Sequence, residues 1–152
     1  MPVKKLKEFL DANAVKYVAI QHSPAYTAQE IAASAHVSGH ELAKTVMVKL
    51  DGKLAMAVLS ATAAVNFDLL EEVSGAETAE LAGERDFRDL FPECELGAMP
   101  PFGNLYNMDV YVDTRLAEGE AIAFNAGTHK ELVKLLYEDF ARLVKPKVGR
   151  FA

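Results

Sequence analysis

Three short stretches of the chain hold residues whose types and spacing could do chemistry. Lys44 enters the apolar run AKTVMVK, where a lysine either snorkels at a sheet edge or is held facing a cleft. Residues 97–103 read GAMPPFG, with Gly97, Ala98 and Met99 leading into Pro100 and Pro101 in a chain of six prolines. Prolines fix φ and supply no N–H, so such a loop keeps only a chosen few backbone donors, near Gly97 and Ala98, for a substrate. FNAGTH places Gly127 in a turn after an apolar strand, next to Thr128 and His129. Taken singly, each stretch reads as ordinary structure: a snorkelling lysine, a stiff turn and a β-turn.

Other chemistries find no carrier. SGHELAKT mimics a phosphate-binding loop, but Ala43 replaces its second glycine, Gly39 lies one residue too close to Lys44, and a strand follows where a helix is required. His36 and His40 have the i,i+4 spacing of two metal ligands on one helix face, yet Ser38 and Gly39 break the helix between them. No GxSxG elbow is present. The single Cys94 lies in FPECEL, among acids that would raise its pKa and blunt its nucleophilicity, and it has no second cysteine for a disulfide or a thiolate metal site. The reading is therefore of a protein with no metal and no cofactor.

A chain of 152 residues with 51% hydrophobic content suits one globular domain spanning 1–152. VKKLKEFLDANAV puts Val3, Leu6, Phe9 and Leu10 on one helical stripe, and KYVAIQH alternates as a strand. Thr27 followed by Glu30 is a capping-box pattern that predicts a helix ending at Ser38 and Gly39. Asp51-Gly52 between two β-rich runs predicts a hairpin, with Lys44 near the start of its first strand. NFDLLEEVSG reads as a helix capped by Asn66 and stopped at Gly75, and ERDFRDLF as another short helix. NMDVYVD, EAIAFNAG and HKELVKL read as strands and YEDFARLV as a closing helix, followed by a solvated basic tail. The fold class is α/β of the α+β kind: a mixed sheet with short helices packed on it.

Charge narrows the partners. A net charge of −6 disfavours a tight generic nucleic-acid binder, and DNA with it. Ten acids crowd residues 68–95, whereas residues 129–152 are basic. No apolar run reaches membrane-spanning length and the N-terminus is charged, so the expectation is a soluble cytoplasmic protein.

The three stretches occur in an order that resembles the YbaK and prolyl-tRNA synthetase-associated editing domain family of aminoacyl-tRNA deacylases. HSPAYTAQEIA, the Lys44 strand, a GxxxP loop from Gly97 to Pro101, and FNAGTH carry the resemblance over essentially the whole chain. It implies a mixed, partly closed β-sheet surrounded by short helices. The activity it implies is free-standing hydrolysis of the ester on tRNA mischarged with a small amino acid: Ala, Ser, Thr or Cys. The alternative is a non-catalytic module of the same fold that binds aminoacyl-tRNA or a synthetase. By the same resemblance Lys44 would hold the terminal adenosine or its phosphate as a point charge. Gly97 and Ala98 would steady the oxyanion, with Met99, Pro100 and Pro101 lining the ester. Gly127 and His129 would border the amino-acid pocket, Tyr26 and Thr27 would lie near its mouth, and Thr45 and Thr128 would also contact substrate. Partners implied are the tRNA acceptor end and an aminoacyl-tRNA synthetase; from the charge distribution, the basic C-terminal face and Lys4, Lys5 and Lys7 are the expected tRNA contacts.

Overall fold

A computed structural model describes residues 4–21 and 41–152. Val3, the helix expected from Thr27, and His36 and His40 lie outside these residues. Helix α1 (Lys4–Ala12) buries Leu6 and Leu10 completely, as its stripe predicts, and leads into strand β1 (Tyr17–Gln21). β2 (Ala43–Leu50) and β3 (Lys53–Ser60) form the expected hairpin. Asp51 at φ 51° and Gly52 at φ 81° give the two left-handed residues of a type I′ turn.

Helix α2 (Phe67–Ser74) starts where the Asn66 side chain accepts the Leu69 N–H at 3.1 Å and ends at Gly75, φ 77°. Beyond it lies a strand without a sequence signal, β4 (Ala79–Leu81), paired with β2. Its approach is fixed by the Asp51 carboxylate, which accepts the N–H groups of Thr78 at 2.9 Å and Glu77 at 3.1 Å. These bonds, Thr78 first, hold the Asp51 carboxyl below its ordinary range against an opposing desolvation. ERDFRDLF divides into α3 (Glu84–Phe87) and a 3₁₀ turn (Arg88–Leu90). Then come a 3₁₀ turn (Gly103–Leu105), β5 (Asp109–Asp113), an unexpected short α4 (Thr114–Ala117), β6 (Ala121–Asn125), β7 (Glu131–Leu136) and α5 (Tyr137–Val144).

The chain's end departs from the solvated tail expected of it. β8 (Lys147–Gly149) runs parallel to β5, and Phe151 is fully buried. The buried Asp113 carboxylate accepts the N–H groups of Phe151 at 2.9 Å and Ala152 at 3.1 Å. A long-range clamp of this kind has no local sequence signature.

Strands among the described residues form two sheets rather than one: β1-β7-β6, and β4-β2-β3-β5-β8 with β3, β5 and β8 parallel. They meet where Leu42 bridges Ala123, the Ala123 N–H donating to the Glu41 carbonyl at 2.9 Å. This join is the partial closure expected of the fold. The larger core fills the space between the sheets, and a second cluster packs α2 and Phe151 on the far face. Buried on both faces, β3 alternates between them: Met56 and Val58 one way, Ala55, Ala57 and Leu59 the other.

Candidate functional site

Two partners share the outer edge of β2. At one end Glu41 bonds to β6, and at the other Met47 O accepts the Ala82 N–H at 3.0 Å where β4 begins to pair. Thr45 sits on the stretch between them that neither strand covers. Along this opening lies a cleft of about 350 Å³, lined by Thr45, Val46, Met47, Leu81, Ala82, Glu84, Phe87, Leu96, Gly97 and Met99.

The far wall is the start of GAMPPFG, and its shape follows from a four-residue turn. The Ala98 N–H donates to the Glu95 carbonyl at 3.1 Å. Gly97 has φ 82° while Leu96 does not have positive φ, which is the type II pattern with glycine at its third position. Ala98 is completely buried, with Met99, Pro100 and Pro101 buried after it. Prolines here spare a buried segment two N–H donors that would need partners. Phe102, also fully buried, anchors the loop against three rings: Phe9 at 6.1 Å, Phe124 at 5.6 Å and Phe140 at 5.4 Å between centroids. Gly103 is a glycine for a different reason from Gly97, since a Cβ there would lie 2.7 Å from both Met108 O and Val110 Cγ2.

FNAGTH docks directly on this loop. The Gly127 N–H donates to Ala98 O at 2.8 Å, and the Glu95 N–H donates back to Gly127 O at 2.7 Å. The His129 N–H donates to Glu95 Oε1 at 2.9 Å, and His129 Nε2 lies 2.7 Å from Leu96 O. Thr128 is half-buried and its hydroxyl accepts the Lys130 N–H at 3.3 Å. Gly97, Ala98, Met99, Gly127, Thr128 and His129 are therefore one hydrogen-bonded unit.

Within that unit the Ala98 N–H is spent on its own turn, which removes it as a donor to substrate. Among the described residues the Gly97 N–H has no partner.

Lys44 is half-buried and pairs with Leu59, so its side chain leaves β2 on the face opposite Thr45 and Met47. It is next to the cleft along the chain but is not among the residues lining it. Tyr26 and Thr27 lie outside the described residues. Val46, Met47, Leu81, Ala82, Glu84, Phe87 and Leu96 were missed by the sequence reading. Alternation along β2 could have found Met47 from Thr45; the others reach the cleft through packing with no local signature.

Cys94, the single cysteine, is half-buried. Burial pushes its thiol up, with Glu93 adding to the rise and a bond with Tyr106 opposing it. Desolvation thus outranks the neighbouring acids as the cause. The basic C-terminal strand β8 lies at the opposite edge of the five-stranded sheet from β4 and the cleft. At the N-terminal helix, Lys4 pairs with Glu8 at 3.8 Å and Lys5 lies over the Tyr106 ring at 4.5 Å. No group of three or more His, Cys, Asp or Glu among the described residues could hold a metal, and no described helix is long and apolar enough to cross a membrane.

Solved structures share this architecture. A hypothetical protein aligns with TM-score 0.83 and 21% identity, over 97% of this chain and 99% of its own. A protein described as a candidate trans-editing enzyme for prolyl tRNA synthetase aligns with TM-score 0.81 and 16% identity, over 97% of this chain and 94% of its own. Curated relatives include the proline–tRNA ligases of Bacillus mycoides strain KBAB4, 26% identical over 89 residues, and Bacillus cytotoxicus, 28% identical over 89 residues. Each match covers 59% of this chain and 16% of the ligase, so the chain corresponds to a small part of those enzymes' length. The fold is thus that of a mixed α/β domain found in solved structures of this type. The model of the aminoacyl-tRNA editing domain family matches residues 22–143, and the chain belongs to that family.

Proposed function

We propose that this chain is a trans-acting deacylase that hydrolyses the ester of tRNA mischarged with a small amino acid: Ala, Ser, Thr or Cys. The observation that carries the reading is the Gly97 N–H, without a partner among the described residues, at the lip of the cleft in a loop locked by FNAGTH. An aminoacyl ester is already activated, so positioned water and one or two oriented donors suffice without a side-chain nucleophile. Water attacks the ester carbonyl, and the developing oxyanion is steadied by the Gly97 N–H. Collapse expels the ribose oxygen, which takes the proton lost by the water, leaving free amino acid and uncharged tRNA. Backbone groups and the neighbouring ribose hydroxyl orient the water.

Lys44, beside Thr45 on the uncovered edge, holds the terminal adenosine or its phosphate in this reading, as a point charge outside the ester pocket. The substrate is the acceptor end of tRNA, and a synthetase is the partner that would deliver it. Small amino acids are the substrates that synthetases reject least well, because one methyl is worth only about 1 to 3 kcal/mol.

The test is ester loss from a panel of mischarged tRNAs with the wild type and Lys44→Ala. The expected outcome is deacylation of one or two small amino acids, reduced on the order of 10²-fold in the variant, the scale of a lost electrostatic contact. Binding without ester loss for every charged tRNA would establish the non-catalytic module instead. Equal rates in the two proteins would remove Lys44 from the mechanism.

A further inference from the structure

We infer that His129 is a positioning residue that locks the Leu96–Gly97 peptide in one of its two orientations and thereby aims the Gly97 N–H; this rests on the deacylase reading above. The Leu96 carbonyl and the Gly97 N–H belong to the same peptide group. That group is planar and trans, so its C=O and N–H point in opposite directions. Whatever holds the carbonyl therefore sets the direction of the donor.

His129 holds it. Nε2 lies 2.7 Å from Leu96 O, and a carbonyl oxygen only accepts, so the ring nitrogen in this contact carries the proton. The histidine is itself fixed: its backbone N–H is bound by Glu95 Oε1 at 2.9 Å. Glu95 is in turn tied to the same two loops through its N–H to Gly127 O at 2.7 Å and its carbonyl from the Ala98 N–H at 3.1 Å. The imidazole is thus held by the turn whose central peptide it grips.

Such a grip matters because this peptide is the one that can rotate. Types I and II of a β-turn differ by a flip of the peptide between the second and third residues, with the third residue moving from positive to negative φ. Here the third residue is Gly97 at φ 82°, and glycine adopts either sign with little penalty. Left to itself, the sequence allows both states. In the flipped one, a carbonyl oxygen would replace the N–H at the position of a developing negative charge. The short His129 bond selects the type II state, and it polarises the amide so that its N–H donates more strongly.

The closing experiment uses three proteins: wild type, His129→Ala and His129→Gln. Glutamine places an amide N–H close to where Nε2 lies, so it restores the donor without restoring the ring. One arm follows single-turnover and steady-state deacylation of the mischarged tRNA that the wild type hydrolyses best. The expected result is a fall in kcat on the order of 10²-fold for His129→Ala with KM little changed, since the misplaced donor acts in the transition state. His129→Gln is expected to recover most of that loss. A second arm needs no activity: the Gly97 amide ¹⁵N and Leu96 carbonyl ¹³C resonances of the free proteins. Both resonances are expected to move in His129→Ala and to return toward wild-type positions in His129→Gln. Unmoved resonances in His129→Ala would overturn the lock, as would wild-type kcat in that variant or equal impairment of both variants. Should the wild type hydrolyse no mischarged tRNA, the deacylase reading fails while the resonance arm still decides whether the lock exists.

Discussion

The two walls of the cleft are held by different kinds of interaction. On one side the 95–103 loop is tied to FNAGTH by four hydrogen bonds of 2.7 to 2.9 Å and pinned by a fully buried Phe102 among three aromatic rings. On the other side β4 is three residues long, and its Leu81 is 64% exposed. That wall is held by strand pairing to β2, by the Asp51 carboxylate and by the Lys49–Asp86 ion pair at 3.0 Å. Buried apolar and backbone contacts are worth more than surface ion pairs, and they fix position more tightly. The wall that presents a donor is over-determined; the wall that only closes space joins the core through Ala82 and Phe87 but ends in an exposed strand edge.

The most damaging way to break this contrast is to remove the loop's anchor. Phe102→Ala is expected to cost about 3 to 5 kcal/mol of stability, the range for deleting a buried phenylalanine, and urea denaturation would measure it. A loss below about 1 kcal/mol would mean the loop's position does not depend on the aromatic cluster.

Gly97→Ala comes next, and it acts on the site more than on the fold. A non-glycine residue at φ 82° costs on the order of 1 to 2 kcal/mol, and its methyl would meet His129 Cε1 at 3.4 Å. The turn can relieve this by flipping its central peptide. Deacylation is then expected to fall on the order of 10²-fold while the unfolding midpoint drops modestly. Equal losses from Gly97→Ala and Gly103→Ala would indicate general loosening rather than an aimed donor, because Gly103 is constrained by space and not by a turn.

The same division explains what could be read from the sequence. Hairpin, helix caps and β strands carry local signatures, and Asp51-Gly52, Asn66 and Gly75 stand where such signatures place them. The loop wall was legible too, because prolines and glycines mark backbone constraint directly. The second wall was not. Ala79–Leu81 has weak strand propensity and exists because Asp51 and the β2 edge receive it, contacts made across about thirty residues of chain. Phe87 and Leu81 reach the cleft by that route. Lys44 is the converse case: its residue type was legible, but which face of the sheet it takes depends on its pairing with Leu59, which a single strand does not reveal.

The mildest perturbation targets the exposed-edge wall through pH. Lys49, then the Gly83 N–H, holds the Asp86 carboxyl below its ordinary range, with desolvation opposing. A depressed folded-state pKa means the unfolded chain takes up a proton first on acidification. The contribution is therefore fully present above the ordinary Asp value of about 3.9 and is lost as pH falls through the lower folded value. Asp86→Asn should accordingly be slightly less stable than wild type near neutrality and equal to it in strong acid. Amide exchange at Ala79–Leu81 compared at the two conditions would register the change locally. An effect of the same size in the 95–103 loop would show that the two walls are mechanically coupled, and the contrast between them would have to be given up.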